Sequence, residues 1–180
     1  MKTNIDQSFN LESTHLVETN KLFHEVKDIF SDSNGIDPNE IMYKVQMIES
    51  GSQKFPGSLR FGITHLYSKN INGEFNMTRG HIHQDLSCDE YYECVSGNGI
   101  LMLVDEKFEV SLESMHPGSI HYINGKYAHR CINTGLETLV FKAVWSPAAG
   151  YDYDTVPFNV RIMKEDNTFK IEGVYNEHRR

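Results

Sequence analysis

The chain has 180 residues and a formal net charge of −8, because 25 aspartates and glutamates outnumber 17 lysines and arginines. A chain with this acidic balance lacks the basic surface that nucleic acids and anionic membranes attract, so we expect neither as a partner. Hydrophobic residues at 39% and charged residues at 23% exclude wholesale disorder, and no apolar run approaches the ~18 residues of a membrane-spanning helix.

The N-terminal extension, residues 1–40, is predicted to carry a single helix. Residues 1–6 lack the apolar core of a secretory signal, which favours a cytoplasmic location. A helix is predicted over residues 19–30, with Thr19 as its N-cap and Asn34-Gly35 after its end. Five apolar side chains would share one face of this helix at the 3.6-residue period: Leu22, Phe23, Val26, Ile29 and Phe30.

After Pro38 the apolar period changes to two, which predicts β-strands. The first strand carries Ile41, Tyr43, Val45 and Met47 at alternate positions. Short β-type runs then recur between glycine- and proline-containing turns; the predicted strands are Leu59–Leu66, Glu74–Thr78, Glu90–Val95, Ile100–Val104, Lys107–Leu112, Ser119–Ile123, Ala128–Asn133, Leu139–Trp145, Asn159–Met163 and Thr168–Val174. Many short strands are typical of a sandwich or barrel. We therefore predict one all-β domain, with the barrel core at about 41–156 and C-terminal strands and tail over 157–180.

A candidate metal site begins in the segment Gly80-His81-Ile82-His83. In a strand, residues two positions apart face the same side, so His81 and His83 can chelate one ion. The chain has nine histidines, and such a pair also arises by chance as ordinary exposed strand residues. Glu90 opens the next β-type run, and His129 follows on a later strand. Together these four would form an N/O ligand set suited to Fe²⁺, Mn²⁺, Ni²⁺ or Zn²⁺.

The other histidines and the cysteines are predicted to be structural. His121 precedes the turn to His129, but no comparable pattern surrounds it, so a hydrogen-bonded or exposed histidine is expected. Cys88, Cys94 and Cys131 show no C-x-x-C spacing, which favours reduced thiols in a cytoplasmic protein. Cys94 and Cys131 are expected to act as small buried hydrophobes.

The order of these segments is similar to the two conserved motifs of the cupin superfamily: G-H-x-H, a glutamate seven residues later, G-x-G, then P-G and H-x₃-N. More narrowly, five segments resemble the cupin-type (archaeal-type) phosphoglucose isomerases: Thr78-Arg79-Gly80-His81-Ile82-His83, Glu90-Tyr91-Tyr92, Met115-His116-Pro117-Gly118, Tyr127-Ala128-His129-Arg130 and Tyr151-Asp152-Tyr153. The likeness covers about residues 40–156. The histidine and glutamate pattern is common to many cupins, so it indicates fold and metal rather than reaction.

The resemblance implies a cupin (double-stranded β-helix, jelly-roll) barrel that holds one divalent transition metal per chain, with Fe²⁺ as the first choice. It implies His81, His83, Glu90 and His129 as metal ligands. It points to six sugar-phosphate contacts: Thr64, Thr78, Gly80, Tyr92, Tyr153 and Tyr43. Arg79 or Arg130 could supply positive charge, and a homodimer is implied. The chain departs from the family at Asn124-Gly125-Lys126, where relatives tend to have proline; this difference affects a turn.

The activity that the resemblance implies is the interconversion of glucose 6-phosphate and fructose 6-phosphate in glycolysis and gluconeogenesis. Glu90 is the candidate base that would move a proton between C2 and C1. A hydride shift, which needs no base, is the rival mechanism. Two alternatives stay open: another metal cupin enzyme, such as a dioxygenase or a different sugar isomerase, and a non-catalytic sugar-binding cupin.

Overall fold

The structure, a computed structural model, describes residues 3–48, 57–155, 158–166 and 168–173. These ranges contain a four-residue helix, α1 (Phe23–Val26), a 3₁₀ turn (Lys27–Ile29) and fifteen strands. The strands are β1 (Asn4–Ile5), β2 (Leu11–Glu12), β3 (Leu16–Leu22), β4 (Ile41–Ile48), β5 (Arg60–Leu66), β6 (Asn70–Ile71), β7 (Glu74–Phe75), β8 (Glu90–Ser96), β9 (Gly99–Val104), β10 (Val110–Met115), β11 (Ile120–Ile123), β12 (Ala128–Asn133), β13 (Leu139–Trp145), β14 (Arg161–Glu165) and β15 (Thr168–Glu172).

Two antiparallel sheets form the barrel. The larger sheet orders its strands β11-β8-β13-β5-β4-β3, and the smaller one β10-β9-β12. Inward side chains of both sheets pack into one apolar core that includes Met42, Leu66, Met102, Ile132 and Leu139. A separate small sheet has the order β15-β14-β7-β6, and β1 pairs with β2. The predicted all-β class with a cupin-type jelly-roll barrel is confirmed. In the described part of the chain, no helix is long and apolar enough to cross a membrane.

The predicted helix over residues 19–30 is wrong over its first four residues, and its last part is a 3₁₀ turn rather than α-helix. Residues 16–22 form β3, whose backbone pairs with β4 over the full register from Leu16 opposite Ile48. This tertiary pairing outweighs the helical period of the side chains. The helix begins after Leu22 rather than at Thr19, and the Glu25 carboxylate accepts a hydrogen bond from the Leu22 N–H at 2.8 Å.

Most predicted strands are confirmed to within two residues, but β7 is shorter than predicted and β10 lies later in the chain, at Val110–Met115 rather than Lys107–Leu112. Lys107 does not begin a strand, because Asp105 accepts hydrogen bonds from the Lys107 and Glu109 N–H groups and closes a turn before β10. β7 ends at Phe75. The predicted last strand ends at Val174, which lies outside the described residues.

The segment 76–83 carries the His-x-His pair, and it is not a regular strand as the spacing suggested. It pairs with β12 only through isolated bridges, Met77 with Ile132 and His81 with His129, and Ile82 then bridges to Asp152. Gly80 interrupts the extended backbone with a φ of 77°. The segment therefore holds one histidine against β12 and turns toward the chain around residue 152.

Candidate metal centre and substrate pocket

Three imidazoles and one carboxylate converge inside the barrel, and we call them the histidine–glutamate cluster: His81, His83, Glu90 and His129. One ligand atom from each histidine lies within 4.8 Å of those from the other two. Glu90 Oε2 lies 3.3 Å from His83 Nε2, and Glu90 Oε1 lies 3.3 Å from His129 Nε2. Two ligands at right angles around an ion with bonds of ~2.1 Å lie about 3 Å apart, so this spacing suits one shared metal ion.

The ring orientations of the cluster are set by the backbone. His83 donates its Nδ1–H to the Cys88 carbonyl at 2.6 Å, and His129 Nδ1 lies 3.3 Å from the Tyr127 carbonyl. These contacts leave the Nε2 atoms facing inward, the arrangement that metal-binding histidines adopt. Four buried atoms of the cluster have no hydrogen-bond partner: the Nε2 atoms of the three histidines and Glu90 Oε1. Buried polar atoms are rarely left unpaired, so this donor set fits a cation.

The electrostatics of the cluster keep its carboxylate ionised. Burial by itself would raise the pKa of Glu90, but the nearby imidazole of His129, together with His83 and Tyr92, holds that pKa well below its ordinary 4.5. Burial, reinforced by His129, lowers the pKa of His81 to about 2. Burial opposes the charge on His83, but the Glu90 carboxylate 3.3 Å away and the hydrogen bond to the Cys88 carbonyl raise its pKa. An ionised carboxylate among imidazole lone pairs is a site that a divalent cation neutralises.

His121 is buried but takes no part in the cluster. Its Nδ1 lies 2.7 Å from Glu113 Oε2, and its Nε2 lies 2.9 Å from Ser119 Oγ. Both nitrogens are therefore satisfied, as expected for a structural histidine. Cys94 and Cys131 are also buried, and burial raises the pKa of each thiol. Both behave as small apolar side chains rather than nucleophiles.

A cavity of about 320 Å³ opens beside the cluster. The six predicted substrate contacts all line it, as do His81, Glu90 and His129: Thr64, Thr78, Gly80, Tyr92, Tyr153 and Tyr43. Thr78 Oγ1 accepts a hydrogen bond from the Cys131 N–H at 3.0 Å, and Tyr43 Oη lies 3.5 Å from the Arg79 N. Because these oxygens accept from the backbone, their own protons are available to a ligand.

The two arginines that the sequence offered as positive charges, Arg79 and Arg130, lie differently with respect to the cavity. Arg79 lines the cavity, but its guanidinium binds both Asp28 carboxylate oxygens, at 2.8 and 2.7 Å. Arg130 is buried and does not line the cavity. Lys21 lines the cavity mouth and pairs with Glu25 at 3.2 Å. Lys21 was not among the predicted site residues, because residues 19–30 were predicted to be helical; in strand β3 it lies on one face with Thr19.

Tyr151 also lines the cavity without having been singled out. Its ring centroid lies 4.9 Å from that of His81, and its hydroxyl accepts a hydrogen bond from Trp145 Nε1 at 3.1 Å. The two residues come from β13 and the loop after it. No local sequence signal distinguishes such an indole–phenol pair from ordinary core aromatics.

Comparison with known proteins identifies relatives over most of the chain. The family model described as glucose-6-phosphate isomerase (GPI) matches residues 19–165. The glucose-6-phosphate isomerase of Thermococcus litoralis is 36% identical over 129 residues, which cover 71% of this chain and 67% of that protein. The enzyme of the same name from Thermococcus kodakarensis is 29% identical over 180 residues, covering 94% of each chain.

Solved structures show similarity in fold. Peruvianin-I, described as a cysteine peptidase from Thevetia peruviana latex, superimposes with a TM-score of 0.50 at 15% identity, covering 71% of this chain and 77% of that one. A variant of oxalate decarboxylase from Bacillus subtilis gives a TM-score of 0.49 at 15% identity. That match covers 63% of this chain but only 29% of the decarboxylase chain.

Proposed function

This chain belongs to the glucose-6-phosphate isomerase family, and from that membership we propose that it interconverts glucose 6-phosphate and fructose 6-phosphate in the cavity beside the histidine–glutamate cluster. One observation carries the location of the site. Four buried ligand atoms without hydrogen-bond partners meet at one end of a cavity lined by hydroxyl groups. Such a place suits a metal ion and a polyhydroxylated anion side by side.

The residues that would hold the metal are His81, His83, Glu90 and His129. When bound, a divalent metal supplies Lewis acidity that polarises the oxygens on C1 and C2 of the sugar. Imidazole and carboxylate donors suit Fe²⁺, our first choice, and also Mn²⁺, Ni²⁺ and Zn²⁺. The Nδ1 contacts to the Cys88 and Tyr127 carbonyls keep two of the rings oriented for this role.

Glu90 is the proposed base. The isomerisation moves one hydrogen between C1 and C2 while the carbonyl and hydroxyl exchange positions. Its lowered pKa makes Glu90 a weak base but keeps it ionised at neutral pH, so its carboxylate, once loosened from the metal, would take the C2 proton and return it to C1. A positioned base typically contributes 10²–10⁴-fold. In the rival mechanism the hydrogen moves as a hydride directly between the carbons, and Glu90 is then a ligand alone.

The substrate phosphate is proposed to lie among the hydroxyls of Thr64, Thr78, Tyr43 and Tyr153, with the Gly80 amide. Hydroxyl and amide donors bind phosphate oxygens strongly when they exclude water. Lys21, which also lines the cavity, supplies a cation there that its pair with Glu25 partly neutralises, against a net charge of −8 that repels a sugar phosphate. We also propose a homodimer that works in the cytoplasm in glycolysis and gluconeogenesis.

The decisive experiment compares two substrates on the metal-loaded protein. We expect kcat/KM for glucose 6-phosphate to exceed that for free glucose by about 10⁴-fold, because polar groups left unpaired by the missing phosphate oppose binding. Thr78→Val should reduce this ratio, since it removes a hydroxyl donor and keeps the volume. Equal kcat/KM for both sugars would favour an enzyme for neutral sugars. Binding without turnover would favour a non-catalytic sugar-binding cupin.

A further inference from the structure

The peptide unit between Arg79 and Gly80 forms part of the cavity wall. Gly80 has a φ of 77°, and a Cβ at this position would lie 2.7 Å from the Phe158 ring and 3.0 Å from Arg130 Cβ. One side of Gly80 is therefore packed, and its other side lines the cavity. Within the described ranges, the Gly80 N–H has no protein acceptor.

Arg130 lies behind this peptide unit. It follows His129 on β12, and consecutive strand residues face opposite sides, so its side chain points away from the cluster. Its Nη2 donates to the Arg79 carbonyl at 2.7 Å, and its guanidinium carbon stacks 3.8 Å from the centre of the Phe158 ring. Among the described residues no carboxylate lies within ion-pair distance of Arg130. Its hydrogen-bond acceptors are the Arg79 carbonyl oxygen and the Met77 sulfur, which Nη1 reaches at 3.2 Å.

The geometry of a trans peptide connects these two facts. The carbonyl oxygen and the next N–H point in opposite directions in one plane. Because Arg130 draws the Arg79 oxygen toward the side away from the cavity, the Gly80 N–H is turned toward the cavity. The bond to a cation also polarises the peptide, which strengthens the N–H as a donor.

We infer that Arg130 is a positioning residue, which holds the Arg79–Gly80 peptide so that the Gly80 N–H donates to an oxyanion of the substrate in the cavity. The ligand chemistry is that of a phosphate monoester oxygen. This inference rests on the proposed function for the identity of the substrate, but the orientation of the peptide rests on the contacts of Arg130 alone. The role explains why an arginine without a carboxylate partner is buried beside the cluster.

The direct test observes the Gly80 amide. The protein is labelled with ¹⁵N-glycine and loaded with Zn²⁺, which is diamagnetic, and inorganic phosphate or glucose 6-phosphate is added. In the wild type the Gly80 amide proton should shift downfield as it donates to phosphate. In Arg130→Met, which keeps the length and removes the donors, this shift should be lost. Arg130→Lys, which can still reach the carbonyl, should recover part of it.

Kinetics provide a second readout. Arg130→Met should raise KM for glucose 6-phosphate and the inhibition constant of inorganic phosphate by about 10-fold each, the effect of one charge-assisted hydrogen bond. Metal content and kcat should stay close to wild type. Arg161→Met is the matched control: it removes an arginine that binds Glu74 and the Ile29 carbonyl. It should lower stability but leave the phosphate response of Gly80 intact.

Distinct outcomes overturn the two proposals. The role of Arg130 is disproved if the chemical shift of the wild-type Gly80 amide proton does not change on adding phosphate or glucose 6-phosphate. It is also disproved if Arg130→Met keeps both this shift change and the wild-type KM for glucose 6-phosphate. A fall in kcat and metal content without a change in KM would likewise show a purely structural arginine. If Gly80 responds through Arg130 but the wild type does not turn over glucose 6-phosphate, the isomerase proposal fails and the positioning role stands.

Discussion

Two clusters of buried polar side chains lie at opposite ends of the contact between residues 76–83 and β12. At one end, Asn133 donates from Nδ2 to the Leu66 and Glu137 carbonyls, each at 2.8 Å, and Asn76 donates to the Met42 and Tyr67 carbonyls at 2.7 and 2.9 Å. At the other end, the histidine–glutamate cluster leaves four buried atoms unpaired. We call the first group the asparagine pair.

The difference separates a structural role from a binding role. Every amide N–H of the asparagine pair has an acceptor, and only Asn76 Oδ1 is left unpaired, so these side chains fasten the ends of neighbouring strands to each other. An unpaired buried polar atom costs about 1–3 kcal/mol, so the histidine–glutamate cluster destabilises the barrel unless a cation binds there. The asparagine pair is thus almost entirely satisfied within the protein, whereas the atoms of the cluster that face one another are not.

Loss of a cluster histidine should have the largest effect. His129→Ala removes one of the proposed ligands, so metal content should fall well below one ion per chain and activity should fall to the level of EDTA-treated protein. His121→Ala is the matched control, because this buried histidine is satisfied by Glu113 and Ser119. Metal analysis of both purified variants checks this. Equal loss of metal in the two would remove the distinction between satisfied and unsatisfied histidines.

The next effect concerns proton transfer within the same cluster. Glu90→Gln keeps an oxygen donor and the volume but cannot take a proton, so at saturating metal kcat should fall by about 10²–10⁴-fold. Turnover in D₂O should also place deuterium in the product of the wild type, since a proton held on a carboxylate exchanges with solvent. Recovery of the full rate by added metal, together with no deuterium in the product, would leave Glu90 as a ligand and support the hydride route.

The asparagine pair should respond in stability alone. Asn133→Ala leaves two carbonyls without their donor, so the free energy of unfolding should fall by about 2–4 kcal/mol. Metal content per folded chain and KM should not change. Asn20→Ala, at an exposed position of β3, is the control and should change stability by less than about 0.5 kcal/mol. Denaturant unfolding of both variants measures the difference, and metal loss in Asn133→Ala would contradict the division of roles.

The smallest effect is expected at a satisfied but exposed pair, Asp28 with Arg79. The hydrogen bonds from Arg79 lower the pKa of Asp28 below its ordinary 3.8. A depressed carboxyl pKa stabilises the fold above pH 3.8, and that stability is lost as the pH falls through the folded-state pKa. Because Asp28 is largely exposed, Asp28→Asn should cost only ~0.2–1 kcal/mol at pH 7, and this cost should shrink as the pH falls below 3.8. A larger cost at pH 7 would place this pair with the buried clusters.

Sequence patterns predicted the regions whose strands show in the local alternation of apolar and polar residues. Most strands from β4 to β13 follow from periods and spacing, although β6 was not predicted and β10 was predicted too early. The approach of His81 and His83 to Glu90 and His129 was predicted from spacing together with the family resemblance, although their segment is not the regular strand expected. The N-terminal extension did not follow, because β3 is formed by pairing with β4, which outweighs a helix-like distribution of apolar residues.

The remaining parts of the site depend on contacts between distant segments. Lys21 reaches the cavity only because β3 lies at the edge of the larger sheet. In the sequence, Arg130 was named beside Arg79 as a possible source of positive charge for the substrate. In the structure it does not line the cavity but lies behind Gly80, where it donates to the Arg79 carbonyl. Whether a buried polar atom is satisfied is equally invisible in one sequence, because its partners, such as Glu113 for His121, come from other strands.

The ligands of the histidine–glutamate cluster come from both barrel sheets: Glu90 lies on β8 in the larger sheet and His129 on β12 in the smaller one. The strands that carry these ligands pair with strands that are distant in the sequence. We therefore expect the complete ligand set to form late in folding, once the two sheets have packed against each other. The metal should then bind to the folded protein and stabilise it, rather than nucleate folding. Chelation should accordingly speed unfolding and leave the refolding rate almost unchanged.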